Sequence, residues 1–269
     1  MRVGRVDQLR EVTVVEHWRA PTGQVIAYQR VDGRSPTIVF LGGYRSDMTG
    51  TKATFLDRWC RQNGYAYLRF DYSGHGASSG VFKDATLGQW IAESRAVIEA
   101  NSDGPVVLVG SSMGGWIMLH VALALKNQVV GLVGVAAAPD FTRDLLSRGF
   151  TPEQRATLQR VGEVMLAAVY DDTGYPVTRE FIDDAEQHLV LDSTIDIHCP
   201  VKLLQGMSDS EVPWQTAVRL ASALATDQVQ LHLTKSGDHR LSSDTELRRM
   251  ASFLTELLDE VSKAVRAED

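Results

Sequence analysis

Gly110-Ser111-Ser112-Met113-Gly114 is the stretch of the 269-residue chain whose residue types and spacing most directly suggest chemistry. The apolar run Val106-Val107-Leu108-Val109 precedes it and reads as a buried strand, and the residues from Gly115-Trp116 onward read as a helix. The pattern is G-x-S-x-G at a strand–turn–helix junction, the setting of a nucleophile elbow. In such a turn the central residue, Ser112, takes a strained backbone conformation and lifts its hydroxyl above the sheet. Gly110 and Gly114 flank it because a side chain at either place would collide with the adjoining strand or helix. The helix start brings unpaired N–H groups and a positive dipole end close to the hydroxyl. Chance produces the pattern in roughly one chain of this length in ten. A Ser-Gly turn between a core strand and a core helix is therefore the competing reading, and the rest of the chain must decide between them.

A serine hydroxyl needs a base, and the base needs an acid to orient it. In open α/β sheets ligands bind outside the C-terminal ends of the strands, so the polar residues after each strand are the ones to inspect. Gly206-Met207-Ser208-Asp209 follows the apolar run Val201-Lys202-Leu203-Leu204-Gln205, and Lys235-Ser236-Gly237-Asp238-His239-Arg240 follows residues 229–234. The chain order is Ser112, Asp209, His239, that of the α/β-hydrolase architecture. Histidine, with an ordinary pKa near ~6.5, can take the serine proton during attack and return it to the leaving group. Asp209 would hold one tautomer of His239 and stabilise the imidazolium. The backbone N–H of Met113, after the nucleophile, and of Tyr44, after the apolar run Thr37-Ile38-Val39-Phe40-Leu41, stand where an oxyanion hole needs donors.

Alternatives stand beside these assignments. Asp209 also suits a loop that caps a helix, and Asp238 is a rival acid, although its neighbour in sequence is His239 and it would have to fold back. Ser111 reads as a turn hydroxyl. His75, in Asp71-Tyr72-Ser73-Gly74-His75-Gly76, either packs the turn or touches substrate. The Tyr44 side chain either lines a pocket or packs. His17 and His232 fall in strands, His120 in a helix, and His188 and His198 in residues 141–198. There is no H-E-x-x-H, no Cys/His cluster and no G-x-x-x-x-G-K-[ST], and Gly74-His75-Gly76 lacks the third glycine of a dinucleotide loop. The expectation is an enzyme with no metal and no cofactor.

The elements that must carry these residues follow from periodicity. Residues 11–20 and 24–30 alternate in polarity about Pro21-Thr22-Gly23 and predict an antiparallel hairpin. Residues 37–41, 65–70, 106–109, 129–138, 201–205 and 229–234 predict buried strands. Helices are expected over about 51–63, with Gly64 as C-cap, over 86–101, after Ser112, from Pro213 to about 225, and from a Ser243/Glu246 capping box to the end. Alternating strand and helix implies a mostly parallel central sheet flanked by helices. Residues 141–198 break the alternation, with several helical patterns and no convincing strand. They predict a helical lid inserted into one α/β domain spanning 1–269. Leu145, Phe150, Met165, Tyr175 and Phe181 in it either pack the lid on the sheet or meet an apolar acyl group.

A net charge of −7 with no Lys/Arg run argues against a nucleic-acid partner. No apolar run reaches the length of a membrane span, the charged N-terminus has no signal-peptide core, and Cys60 and Cys199 read as small buried residues. A cytoplasmic protein is the expectation, and nothing in the pattern specifies an oligomeric state.

Together these residues resemble the α/β-hydrolase superfamily. Gly43-Tyr44-Arg45-Ser46-Asp47-Met48-Thr49-Gly50-Thr51-Lys52-Ala53, Arg69-Phe70-Asp71-Tyr72-Ser73-Gly74, Gly110 to Trp116, Gly206-Met207 with Val212-Pro213-Trp214, and Asp238-His239-Arg240 look like one subgroup of it. That is the mitochondrial abhydrolase-domain palmitoyl-protein thioesterase subgroup, which also cleaves acyl glucuronide esters, with its bacterial relatives. The resemblance runs from about Ser35 to the last helix and is weakest in the lid. It implies Ser112 as nucleophile, Asp209 as acid and His239 as base. It also implies hydrolysis of carboxylic esters or thioesters, including acylated thiols and acylated protein. The absence of a long leading segment suggests a bacterial source. A carbon–carbon bond hydrolase or a peptidase on the same triad is the alternative, and a non-catalytic binding protein that keeps the fold is a third reading.

Overall fold

The computed structural model describes residues 14–167 and 174–268. The central sheet is built from β1 (Glu16–Arg19), β2 (Val25–Val31), β3 (Arg34–Leu41), β4 (Tyr65–Phe70), β5 (Val106–Ser111) and β6 (Val129–Val135), and, further along, β9 (Val201–Gly206) and β10 (Val229–Thr234). Between β6 and β9 lie two short strands, β7 (Glu163–Leu166) and β8 (Tyr175–Thr178). The helices are α1 (Thr51–Asn63), α2 (Leu87–Asn101), α3 (Met113–Ala124), α4 (Phe141–Asp144), α5 (Pro152–Val161), α6 (Arg179–Ala185), α7 (Trp214–Ala223) and α8 (Asp244–Glu268).

The eight strands run in the order β1-β2-β4-β3-β5-β6-β9-β10. β2 is antiparallel to both of its neighbours, and the remaining pairings are parallel. The expected N-terminal hairpin is β1–β2, with Glu16 opposite Tyr28; residues 11–13 of its predicted first strand lie outside the described residues. Side chains alternate faces along each strand, and both faces are buried. Val39, Leu41, Val106 and Leu108 pack with Trp90 of α2 and Trp116 of α3. Ile38, Phe40, Val107 and Val109 pack with Leu56 of α1 and Leu254, Leu257 and Leu258 of α8. Burial of such a leucine contributes about 1.5–3 kcal/mol, so the continuous apolar runs end up in the middle of the sheet. This is the α/β-hydrolase fold, with a mostly parallel eight-stranded sheet flanked by helices.

Predicted ends hold where local chemistry dictates them. Gly64 closes α1 in the left-handed conformation at φ 71. Ser243 and Glu246 exchange side-chain-to-backbone hydrogen bonds of 2.8 and 3.4 Å at the start of α8. Three expectations need correction. β6 stops at Val135, before the predicted Ala138, because Ala136 turns to φ 47. Cys60 is buried as expected, but Cys199 is only partly so. Residues 141–198, read as helical and without strands, contain the antiparallel β7–β8 ribbon, in which Glu163 pairs with Thr178 and Leu166 with Tyr175. Its strands are four residues each, too short for a period of two to stand out. The segment packs on the sheet through Phe150, Leu158, Val164, Phe181, Ile182 and Val190, which join the same apolar cluster as Trp90 and Trp116. Among the described residues, no helix is long and apolar enough to cross a membrane.

α3 crosses the end of β3 so closely that a Cβ on Gly114 would fall 2.1 Å from the Leu41 carbonyl oxygen and 2.5 Å from that of Gly42. Both obstacles are backbone and cannot rotate away. Gly114→Ala is expected to lose roughly 3 kcal/mol of stability, the upper end of overpacking costs, measured as a lower urea midpoint at unchanged slope.

Candidate active site

Ser112 lies between β5 and α3, capping the start of α3, at φ 54 and ψ −123, a region that side-chain-bearing residues rarely occupy. Backbone contacts hold it there. Its N–H donates to Val135 O at 3.0 Å, and its carbonyl accepts from Gly115 N–H at 2.8 Å and Ala138 N–H at 3.0 Å. Gly110 and Gly115 permit this because a Cβ on Gly110 would fall 2.5 Å from Gly114 O, and one on Gly115 2.5 Å from the Ala137 Cβ. Met113 is the first residue of α3, where backbone N–H groups have no partner within the helix. The backbone of Gly43 lies against the nucleophile turn: a Cβ there would sit 3.2 Å from Ser112 Cβ. The loop that begins at Gly42-Gly43-Tyr44 thus lies against Ser112 on one side, with Met113 at the head of α3 next to it in the chain.

Asp209 and His239 arrive from the neighbouring strands β9 and β10. Their loops touch backbone to backbone, with Met207 N–H on Thr234 O at 2.9 Å and Ser208 N–H on Gly237 O at 3.0 Å. Gly206 makes this approach feasible, since a Cβ there would fall 2.2 Å from Gly237 O. His239 then spans the gap. Its Nδ1 lies 2.9 Å from Asp209 Oδ2 and its Nε2 lies 3.0 Å from Ser112 Oγ. A carboxylate only accepts, so Nδ1 carries the proton and Nε2 turns its lone pair to the serine hydroxyl. Asp209 also accepts from Gln205 Nε2 at 2.9 Å, Val212 N–H at 2.8 Å and Glu211 N–H at 2.9 Å. Burial pushes its carboxyl up, but the hydrogen bond and charge of His239 and the two backbone donors outweigh burial and leave it below the ordinary value. A serine proton can thus pass to a neutral imidazole while a fixed negative charge stabilises the imidazolium. Asp238, the rival acid, turns to Leu241 N–H at 3.0 Å instead.

The loop after β3 is held from below and from above. Arg45, at φ 58, donates its N–H to His75 Nε2 at 3.2 Å, and His75 Nδ1 faces Ser73 O at 3.2 Å. Both ring nitrogens of His75 are thus occupied by backbone. From above, Tyr44 Oη donates to Pro176 O at 2.9 Å, and an Arg45 guanidinium nitrogen bonds Gly174 O, both on the β7–β8 ribbon. The Tyr44 ring packs edge-on against Phe82 at 4.8 Å, Tyr175 at 5.6 Å and Phe141 at 6.1 Å, and tilted against Phe181 at 5.3 Å. Asp140, at the end of the β6 turn, accepts the N–H groups of Val190 and Leu191 at 3.0 and 2.9 Å and pins the far end of the inserted segment. A cleft of about 500 Å³ opens between the Arg45 loop, residues 74–76 and 81–83, and the ribbon. His75 and Phe82 line it, and Ser112, Asp209 and His239 do not.

Residues 38–263 match the model of the alpha/beta hydrolase family. The chain belongs to that family. Among curated proteins, the human mitochondrial palmitoyl-protein thioesterase ABHD10 is 37% identical over 257 residues, covering 95% of this chain and 84% of its own. Among solved structures, mouse alpha/beta hydrolase domain-containing protein 10 has a TM-score of 0.86 at 35% identity over 92% of this chain and 99% of its own. A chain from Agrobacterium vitis S4 also has a TM-score of 0.86, at 40% identity over 91% of this chain and 98% of its own.

In this α/β hydrolase the structure brings Ser112, His239 and Asp209 together by hydrogen bonds, places the Gly43-Tyr44 loop against Ser112, and bonds His75 to the Arg45 amide of that loop. Sequence reasoning overlooked three residues. Gly206 stood in the sequence only as the first residue of the loop that carries Asp209 and as part of a motif. Lys52 was visible as part of a motif, but its Nζ bonds the carbonyl of Arg240, next to His239, across the fold. Glu211 lies 3.7 Å from His239 Nε2, and its only sequence signal is its place two residues after Asp209.

Burial pushes the His75 imidazole down to about 4, against about 6.5 for the free side chain. Between those values the unfolded chain binds a proton that the folded one excludes. Stability therefore rises with pH through this window and is lost as the pH falls below about 6.5 toward 4, by at most about 1.4 kcal/mol per pH unit. His75→Gln is expected to remove that part of the slope, read from urea unfolding free energies of both proteins at about pH 4.5 and about pH 6.5.

Proposed function

We propose that the chain is a serine hydrolase that cleaves carboxylic esters and thioesters through an acyl-enzyme on Ser112. The observation that carries the reading is the bridging of Ser112 Oγ and Asp209 Oδ2 by the two nitrogens of one imidazole, at 3.0 and 2.9 Å. Ser112 Oγ attacks the carbonyl carbon, and its proton moves to His239 Nε2. The tetrahedral oxyanion is met by the N–H groups of Met113 and Tyr44, where loss of one donor typically costs about 3–4 kcal/mol. Collapse breaks the bond to the leaving oxygen or sulfur, which departs with the proton from His239. Water then attacks the Ser112 ester, gives a proton to His239, and releases the acid as Ser112 recovers its own. The residues between β6 and β9 act in this reading as a lid on one catalytic domain, bonded to the Tyr44 loop through Pro176.

Thioesters fit the chemistry. A thiol of pKa near ~8.5 leaves as a thiolate with little proton help. The name of the human relative, a palmitoyl-protein thioesterase, supports S-acylated cysteine as one substrate class. The aromatic wall of Tyr44, Phe141, Tyr175 and Phe181 supports an apolar acyl group.

An activated ester should give a burst of released alcohol followed by slower turnover, and a fluorophosphonate should label Ser112. Ser112→Ala is expected to abolish burst and label and to lower kcat by about 10⁴-fold or more. Undiminished turnover in that variant would sink the assignment. A panel of oxyesters, thioesters and amides of one acyl group then ranks the bond types.

A further inference from the structure

Two carboxylates approach His239. Asp209 takes Nδ1 and is fully enclosed, whereas Glu211 lies 3.7 Å from Nε2 with its side chain 35% exposed. Nε2 is the nitrogen that faces Ser112 Oγ, so Glu211 flanks the reacting edge of the ring while Asp209 sits behind it. The position is set by backbone, because Glu211 N–H donates to Asp209 Oδ1 at 2.9 Å. From the other side, Tyr175 of the β7–β8 ribbon senses the same charge: burial and then Glu211 push its phenol up. Orientation of the ring is already supplied by Asp209, which leaves the Glu211 carboxylate without a part in the reaction as derived above.

We propose that Glu211 is a specificity-determining residue, favouring leaving groups that are neutral or cationic beside the scissile bond over those that are anionic there. The proposal rests on Ser112 and His239 being nucleophile and base. In that reaction a departing alcohol takes its proton from Nε2, and a departing thiolate leaves from the same tetrahedral carbon beside that nitrogen, so the atoms next to the leaving atom must pass the Glu211 carboxylate. A unit charge carried about 6 Å from that carboxylate, in a half-exposed site, changes the rate by an expected three- to thirtyfold. Other titratable groups around the ring are Asp209 and, on its own loop, Asp238 and Arg240. Lys52 of α1 interacts with Asp238 and Arg240 of that loop and with Glu246 of α8, and Tyr175 interacts with Glu211. All of them remain in Glu211→Gln, which also keeps the Glu211 N–H donor and the side-chain shape.

The test uses thioesters of one acyl group on thiocholine (cationic), N-acetylcysteamine (neutral) and 3-mercaptopropionate (anionic), at low ionic strength. For the wild type, kcat/KM should fall in that order. E211Q should compress the cation-to-anion ratio about tenfold. E211K should invert the ranking. A ratio unchanged in E211Q, with hydrolysis still dependent on Ser112, would overturn the role of Glu211 alone. Hydrolysis that persists in S112A would overturn the reading of the site, and this inference with it.

Discussion

The conformation of Ser112 is the constraint on which the other features depend. A residue with a side chain at φ 54 and ψ −123 costs on the order of 1–3 kcal/mol and persists only where its surroundings over-determine it. Here three backbone hydrogen bonds fix its N–H and carbonyl, and glycines on both sides let α3 come within contact of β3 and β6. The close approach does two things at once. It aims the hydroxyl out of the sheet toward His239, and it draws the start of α3 and the loop after β3 to the same point. A looser turn would separate the hydroxyl from the amides that flank it.

A similar use of close backbone contact brings Asp209 to His239. β9 and β10 are parallel neighbours, so their loops leave the sheet side by side, and the Gly206–Gly237 contact lets them touch. Lys52 extends this arrangement by holding the Arg240 carbonyl from α1. On the opposite side, the Tyr44 loop is supported by a buried neutral His75 and bonded to the β7–β8 ribbon. The inserted segment is thereby bonded to the loop that lies against Ser112.

Central strands were readable because strands buried on both faces must be apolar at nearly every position, as 106–109 and 37–41 are. Helix ends were readable where a cap has its own chemistry, as at Gly64 and at Ser243 with Glu246. The β7–β8 ribbon escaped because four-residue strands carry no measurable period and because its pairing joins residues well apart in sequence, such as Glu163 and Thr178. Position 75 was ambiguous for a different reason. A histidine in a turn looks the same in sequence whether its nitrogens are free or, as here, spent on backbone groups of Ser73 and Arg45.

By itself the sequence determined the alternation of strand and helix, the elbow at Gly110–Gly114, and the order of a serine, an aspartate and a histidine at the ends of three strands. Local steric and hydrophobic rules dictate all of these. Tertiary structure alone decided which carboxylate reaches His239: Asp209, arriving from the next strand, and not its neighbour Asp238, which caps its own loop at Leu241. It also decided that a second carboxylate, Glu211, stands at the other nitrogen. The reason is that distances across a parallel sheet depend on register and on how closely two loops can approach, and neither is encoded in the spacing of residues along one strand.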